Sequence, residues 1–417
     1  MAVIFNIDEA IQRSVFNVYD LPIQMLLTNE IEAWEKESKL SKVFVMRTTD
    51  RYQEEYHSSS GMDGFSPTAD MEPAHLSDFD EGYGKVFKTQ IWTNSFAISK
   101  QAIEDNRDLD INAKAVGFVQ SYGRTRENFG AAILAGGLTG FATYKNMRFD
   151  CTGLDSADGT LEGAKQTFFH KYHKTPLQGV AEDGTSYTAV SATDGYATAL
   201  NGKVFYTKPQ SNKFQSAIDF SLPKGVMRVS QVDKDGKGQG VTTTDALANA
   251  QYLGLYDKIC RTLGIVKSAF ALHRSYKGEI VPRNLTRIVM PQDYILEDMI
   301  RKALASEYGA NMGGFEIEVW PYLNNKAGFG ASDHAFIMID PVANQKNLGA
   351  VWFDRKALEV DSYIDKRTKA NYWDGRARFQ AGFGDWSSMA YVKCSTTTDN
   401  TCSQIDVTTG TIDGATL

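Results

Sequence analysis

The stretch DEGYGKVFKTQIWTNSFAISKQAIEDN (80–106), followed directly by RDLDINAKAVGFVQSYGRTRENFGAAIL (107–134), changes its hydrophobic period part-way along. In the first half Val86, Thr89, Ile91, Thr93, Ser95 and Ala97 are β-branched, apolar or small, the composition of a pleated, half-buried strand. In the second half Ile111, Ala115, Phe118, Val119, Tyr122, Phe129 and Ile133 recur at spacings of three, four and seven, which is one apolar face of a long helix. A helix from Asp110 to Leu134 would be roughly 35 Å long at about 1.5 Å per residue. Lys114, Arg124, Arg126 and Glu127 read as lying off that stripe, facing water or a neighbouring subunit. A hairpin arm feeding a long straight helix suits a building block better than an enzyme.

Upstream, VFVMRTTDRY and KVFKTQIWTNSF read as two strands flanking HSSSGMDGFSPTADMEPAHLSDFDEGYG (57–84), which has few large aliphatics. Loops this long and structureless are usually functional or disordered, and the expectation is an extended hairpin that orders on a partner. Residues 1–36 read as two amphipathic pieces separated by Tyr19-Asp20-Leu21-Pro22, one lined by Ile7, Ile11 and Val15 and the other by Leu26, Leu27, Ile31 and Trp34. Pro22 suits the first turn of the second piece, with Asp20 as its cap.

Downstream, Gly136-Gly137 reads as the helix stop. Residues 138–242 are rich in Gly, Thr, Ser and Asp and read as a β-rich or loop insertion, in the manner of a subdomain. Within it Asp233 and Asp235 resemble the start of a calcium loop, but the terminal acidic ligand is replaced by Thr244 and the pattern fails. Helical period returns over Asp245–Leu263. Leu285–Met290 reads as a buried strand running into a helix with Pro291 in its first turn, an apolar face of Ile295, Met299, Ile300, Ala303 and Leu304, and Gly309 as its stop. Strands follow at Phe315–Trp320, Ala335–Ile339, Ala350–Phe353 and Leu358–Ile364, then a long strand with a Gly-rich bend over Asn371–Val392, then a loosely held tail from Ser395.

The chain of 417 residues, 42% apolar and 23% charged, can build a sizeable core. With 44 basic against 51 acidic residues and no basic block, it does not read as a sequence-reading nucleic-acid binder, although it can enclose nucleic acid. Cys151, Cys260, Cys394 and Cys402 are too few and scattered for a disulfide framework, and only Cys394 and Cys402 are close enough in sequence to invite a bridge. The first residues lack a basic region before an apolar core, and no run of about 18 apolar residues exists, so the expectation is a soluble protein made in the cytosol.

Convergent catalytic groups are missing. His170 and His173 sit three apart, as two metal ligands on one turn would, but no Glu accompanies them in an HExxH pattern. His57, His75, His273 and His334 are isolated, and Glu54-Glu55 and Asp78 with Asp80 read as solvated loop surface. No GxSxG elbow, phosphate-binding loop or GxGxxG after a strand occurs. The expectation is a chain with no catalytic residue, no cofactor and no metal site, with a metal-dependent hydrolase using His170 and His173 as the enzymatic alternative.

GKVFKTQIWTNSFAISKQAIEDNRDLDINAKAVGFVQSYGRTRENFGAAIL resembles the junction of extended loop and spine helix in the major capsid proteins of tailed double-stranded DNA bacteriophages, a shell fold shared with encapsulins. The matching positions are Ile98, Ser99, Lys100, Ile103, Glu104 and Asp105, then Arg124, Thr125, Arg126 and Glu127. TRIVMPQDYILEDMIRKALAS and RFQAGFGDWSSMAYV resemble the family's strand with peripheral-domain helix and its C-terminal strand with bend, while 138–242 is unmatched.

The resemblance implies an α+β fold with an N-terminal arm (1–36), an extended β-hairpin loop (37–95) and the spine helix of the peripheral domain (96–137). The insertion (138–242), the remainder of the peripheral domain with the axial domain (243–394) and a C-terminal tail (395–417) follow. It implies a structural protein that self-assembles as hexamers and pentamers into an icosahedral head, enclosing double-stranded DNA without reading its sequence and without a membrane. The implied location is the virion, assembled in the host cytoplasm. Other implied partners are a portal, decoration proteins and, since no long helical N-terminal extension is seen, a separate scaffolding protein, the alternative being an already trimmed chain. An encapsulin-like compartment shell is the alternative within the same fold.

Overall fold

A charged residue placed on an apolar stripe must find its counter-charge inside the fold, and one such pair organises the sheet of this chain. The structure is a computed structural model. It describes residues 4–7, 17–59, 65, 67–74, 76, 81–105, 108–153, 167–169, 179–180, 186–188, 198–199, 217–219, 262–271, 273, 281–305, 314–330, 334–365, 367–393, 403–406, 411–412 and 415–416. Helices and sheets are mixed, and the chain divides into two compact units.

The first unit comprises Met1–Glu55, Val86–Ile133 and Ala350–Gly382. Its five-stranded sheet has the order β1 (Ile4–Ile7), β15 (Ala350–Ile364), β16 (Ala370–Phe383), β5 (Gln90–Ser99), with β2 (Val45–Thr48) also on β15. β1 and β2 run parallel to β15 at its two ends, Ile4 opposite Glu359 and Val45 opposite Val351, and β5 runs antiparallel to β16 from Gln90–Phe379 to Ser99–Ala370. Three helices belong to it: α1 (Asn17–Glu37), the short α2 (Leu40–Val43) and α3 (Lys100–Glu104). A fourth, α4 (Asp108–Gly136), places all but its last residues here.

The stripe expected on α4 is the buried one: Ile111, Ala115, Phe118, Val119, Phe129 and Ile133 are in the core. The expectation that Arg126 and Glu127 face water is overturned, because their exposures are 1% and 3%. Arg126 follows Tyr122 by four residues and precedes Phe129 by three, so it lies on the stripe and only its charge argued otherwise. Its guanidinium makes a two-pronged contact with Asp354 of β15, at 2.8 and 3.0 Å, and also donates to the Tyr122 hydroxyl at 3.0 Å. The rings of Trp352, Phe379, Tyr122 and Trp34 lie 4.8 to 5.8 Å from its carbon centre. Trp352 donates its indole N–H to Asp354 at 3.0 Å. Burial alone would lower the Arg126 pKa, but Tyr122 and Asp354, by charge and hydrogen bond, together hold it above the ordinary guanidinium value. Burial also pushes the Tyr122 hydroxyl up.

Asp354 explains a second difference. The sequence suggests two strands, Ala350–Phe353 and Leu358–Ile364, split by Asp354-Arg355-Lys356; the structure has one strand, β15, running through them. A buried, paired carboxylate does not interrupt a ladder.

The N-terminal segment differs as well. Ile7 lies in β1, and Ile11 and Val15 fall outside the described residues. α1 runs through Pro22 without stopping, so Pro22 is inside the helix and removes one ladder hydrogen bond near its first turns. Ile23, Leu27 and Ile31 are buried, while Leu26 and Trp34 are half-buried. Trp34 seats against α4 at Gly123, where an added Cβ would lie 2.6 Å from the indole. Ser38 donates to buried Glu127 at 2.5 Å.

The second unit comprises Tyr56–Lys85, Leu134–Gly349 and Phe383–Leu417. Its largest sheet has the order β13 (Glu316–Val319), β12 (Arg287–Met290), β14 (Phe336–Ile339), β17 (Met389–Lys393), β11 (Ala217–Asp219), β18 (Ser403–Asp406), β19 (Thr411–Ile412), β20 (Ala415–Thr416). β12, α6 (Tyr294–Ala305) and β13 form the expected strand–helix–strand, with β12 and β13 parallel. α6 starts later than Pro291: Asp293 accepts the Leu296 N–H at 3.2 Å and serves as its cap. Leu296 and Ile300 of α6 are buried; the side chains of Ile295, Met299 and Ala303, and Gly309, lie outside the described residues. A helix, α5 (262–271), continues past Leu263, where the apolar period had pointed to an end. Leu263, Val266 and Phe270 pack with Ile288, Met338 and Val392 in one core.

The tail is not loosely held throughout, because β18 joins the sheet beside β11 and carries β19 and β20. The Gly-rich bend is built on Asp385, whose carboxylate accepts the Ser387 N–H at 3.0 Å and the Asn347 amide, in α7 (Pro341–Asn347), at 3.0 Å. From the 138–242 segment the structure describes a hairpin, β6 (Phe141–Tyr144) and β7 (Met147–Asp150), a small sheet of β8 (Gly179–Val180), β9 (Ser186–Thr188) and β10 (Thr198–Ala199), and β11. Gly136 and Gly137 do not supply the left-handed stop after α4. That residue is Gly140 (φ +81°), while an added Cβ at Gly136 would lie 2.7 Å from the Cys151 sulfur.

Two tests follow from this packing. Asp354→Ala leaves a buried guanidinium without its carboxylate and is expected to cost about 3–5 kcal/mol, while the double variant Arg126→Met with Asp354→Leu recovers much of it. Urea unfolding followed by tryptophan fluorescence reads both, and a loss under about 1 kcal/mol for the single variant contradicts the account. Burial pushes the Cys151 thiol from 9.0 up to about 12. The unfolded chain therefore releases this proton first, and the thiol's contribution to stability is present below about pH 9 and lost as pH rises toward 12. Peptide mapping after iodoacetamide at pH 8.5 is expected to find Cys151 modified only when urea is present; equal labelling of the folded protein overturns this burial.

Candidate self-association surface

Between β2 and β5 the chain leaves the five-stranded sheet at a built corner. Thr49 is buried; its hydroxyl donates to Glu54 and accepts the Arg51 N–H at 3.1 Å, and its own N–H donates to the Asp354 carbonyl at 3.1 Å. On the return, the Thr89 N–H donates to the Tyr52 carbonyl at 3.3 Å. Of the two strands expected from the sequence, the first (43–52) stops short as β2 at Thr48, and the second (85–96) is cut at Thr89. Beyond the corner, β3 (Gln53–Ser59), not foreseen as a strand, and β4 (Glu81–Lys88) pair in a separate two-stranded sheet. A two-stranded ribbon on its own is marginal in water and depends on whatever its faces can pack against.

β4 alternates as a half-covered strand does: Lys85 and Phe87 are buried, Val86 and Lys88 exposed. Phe87 packs on Phe353 with ring centres 5.3 Å apart. The Lys85 ammonium donates to the Thr152 carbonyl and lies 3.9 Å from the Asp150 carboxylate. Gly84 faces His57 across the ribbon, where an added Cβ would lie 2.9 Å from the imidazole.

The described part of the loop between β3 and β4 has the opposite character. Phe65, Met71 and Leu76 are 110%, 97% and 86% exposed, and residues 67–74 are exposed throughout. The chain is nevertheless shaped there: Glu72 accepts the Ala69 N–H at 3.0 Å with its carboxylate and returns its own N–H to the Ala69 carbonyl at 3.1 Å. Met71 takes the left-handed conformation (φ +69°), so this turn holds a large apolar side chain outward. Phe65, Met71 and Leu76, exposed in the loop between the two strands, are the candidate contact residues of this part of the chain.

Of the residues weighed for chemistry, Glu54 bonds Thr49, His273 is buried against Trp386 with ring centres 5.3 Å apart, and His334 pairs with Asp293 at 2.5 Å. His57 is on the ribbon. His75, Asp78, Asp80, His170, His173, Asp233, Asp235, Cys394 and Cys402 lie outside the described residues. Among the described residues, no group of three or more His, Cys, Asp or Glu is arranged to hold a metal ion, and no helix is long and apolar enough to cross a membrane. The sequence reading missed the corner at Thr49 and the outward turn at Ala69–Glu72. The Asp50-Arg51-Tyr52 interruption was the available signal for the first.

No protein-family model matches the chain, and no curated protein matches it. Solved structures similar to it include the capsid of an empty GTA particle, at 12% identity and TM-score 0.37 over 86% of this chain and 89% of that one. The capsid of Myoviridae phage XM1 is similar at 10% identity and TM-score 0.36 over 85% and 90%. A virus-like particle from Pyrococcus furiosus is similar at 6% identity and TM-score 0.38 over 90% and 99%. These are likenesses to two capsids and a virus-like particle, at TM-scores below 0.5.

Proposed function

We propose that this chain is a structural shell protein, the major head subunit of a tailed double-stranded DNA bacteriophage, self-assembling as hexamers and pentamers into an icosahedral shell around the genome. The observation that carries the reading is the β3–β4 ribbon, which pairs with no other strand of the described residues and presents Phe65, Met71 and Leu76 uncovered. Covering three such side chains is worth roughly 5–9 kcal/mol before the cost of association. A second copy of the same chain is the partner always present at matching concentration, and a ribbon docking on a different surface of its neighbour gives a heterologous contact that closes into rings.

The resemblance of residues 84–134 to the loop and spine helix of phage head proteins supports the same reading. In it, the sheet of β1, β15, β16 and β5 with α4 is the peripheral domain, the sheet around β12, β14 and β17 the axial domain, and 1–36 the N-terminal arm. The role is structural rather than catalytic. A scaffolding protein, a portal and decoration proteins are the further partners, and the virion, assembled in the host cytoplasm, is the location.

The test replaces Phe65, Met71 and Leu76 with Ser together and compares the variant with the wild type by light scattering and negative-stain microscopy, each with and without a co-expressed scaffolding protein. Wild-type shells or capsomers are expected. The variant should unfold within about 1 kcal/mol of wild type, since the sites are exposed, yet form at least tenfold fewer particles. A wild type that stays monomeric under every condition, or a variant that assembles as well as wild type, contradicts the proposal.

A further inference from the structure

The strand β5 ends the five-stranded sheet. β16 lies along one side of it, residue for residue from Gln90 to Ser99, and among the described residues no strand lies along the other. In an antiparallel ladder alternate residues turn both backbone groups toward the partner strand, and the others turn both away. Three contacts fix which set of β5 points away. The Thr89 N–H, one residue before the strand, donates to the Tyr52 carbonyl at 3.3 Å. The Ser95 N–H donates to the Asn94 side chain at 3.0 Å, and the Ala97 carbonyl accepts from the Lys114 ammonium of α4 at 3.2 Å. The outward set is therefore Ile91, Thr93, Ser95, Ala97 and Ser99.

These contacts close the edge at both ends and leave its middle open. Between Thr89 and Ser95, the outward N–H and C=O groups of Ile91 and Thr93 make no hydrogen bond among the described residues. The side chains do not shield them, since Ile91 is 49% exposed and Thr93, Asn94 and Ser95 are exposed. Edge strands are ordinarily blunted by a Lys, a Pro or a bulge. From Thr89 to Ser99 there is no charged residue and no Pro, and the one-to-one register with β16 has no bulge. β3, by contrast, carries Glu54 and Glu55.

We propose that the Ile91–Thr93 edge pairs antiparallel with the same edge of a second copy, about a two-fold axis at Trp92. The register follows from the open groups. With Ile91 opposite Thr93 of the partner subunit, and the reverse pair across the axis, every open N–H and C=O of the two strands finds its complement. One step further out Ser95 comes opposite a Thr89 whose N–H is already occupied, so no existing contact has to break. An uncharged strand meeting its own copy brings no like charges into opposition, whereas a β3 strand would bring two carboxylates with no cation on β5 to meet them. The contact is small, so it is weak between two free subunits and counts where a lattice repeats it. It rests on the self-association proposed above, to which it adds a two-fold contact beside the ring-closing one.

The test uses the full chain carrying Phe65→Ser, Met71→Ser and Leu76→Ser, in which the ribbon contact is removed. Sedimentation velocity should find a reversible dimer as the concentration rises from about 1 to about 100 μM, the range of a small, weak interface. Amide exchange resolved to single residues should show the Ile91 and Thr93 N–H groups exchanging fast in the dilute monomer and about fivefold or more slowly in the concentrated sample. Adding Ile91→Lys with Thr93→Lys sets like charges opposite each other across the axis and should weaken the dimer roughly tenfold or more. Ile91→Lys with Thr93→Glu sets opposite charges face to face and should keep the affinity within about threefold. No dimer at the highest concentration, fast exchange of both amides throughout, or an equal loss with the two charge pairs overturns the inference. The ribbon reading fails separately, where the triple-Ser chain forms shells as well as wild type; the two charge pairs are then compared by particle yield, with the same outcomes expected.

Discussion

A guanidinium buried to 1% exposure on the apolar face of α4 is the constraint on which the first unit depends. Arg126 cannot lose its proton, so the fold must bring it a carboxylate, and the one it brings is 228 residues away in sequence. The two-pronged contact with Asp354 fixes the rotation of α4, the register of β15 beneath it and the position of the Trp352 indole that shares the carboxylate. Around it Trp92, Phe129, Trp352 and Phe379 stack and tilt with ring centres 4.9 to 5.9 Å apart. Such a pair adds little net stability over apolar residues of the same size, because desolvation offsets most of its attraction. What it supplies is one arrangement of helix against sheet, since any slip leaves two buried charges unpaired.

The same constraint decided what could be read from the sequence. The apolar period of α4 and the β-branched, aromatic and small composition before it are local properties; α4 lies where its period put it, and the strand is present but broken at Thr89 into β4 and β5. Arg126 and Asp354 were each misread, one as an outward-facing charge and the other as a break between two strands. Each is unfavourable in the core until its partner is known, and nothing local reveals a partner so distant. Pro22 misled in a similar way: a proline near a helix start marks a boundary on average, yet α1 tolerates it and is held by Trp34 in the notch at Gly123. The tail read as loose because its Thr, Asp and Gly residues carry little apolar signal, but β18 gains its ladder from β11, a strand from the segment that was hardest to interpret.

The ribbon of β3 and β4 reverses this logic. Its root is over-determined, with Thr49, Thr89 and the buried Lys85 each holding backbone. Its loop is under-covered, with Phe65, Met71 and Leu76 satisfied by nothing in the described chain. The sequence showed that the loop was long and polar at its centre, which pointed to a partner-dependent arm. It did not show which apolar residues face outward, because that depends on the turn set by Ala69 and Glu72 and on the left-handed Met71. In the proposed reading, a body made unique by a buried charge and an arm left uncovered are complementary halves of a subunit whose folding finishes on its neighbour.

Electron cryo-microscopy of the expressed protein tests that claim most directly. The account predicts closed shells in which Phe65, Met71 and Leu76 of each copy are buried against the next. A stable monomer, or a shell in which those three side chains face solvent, would contradict it.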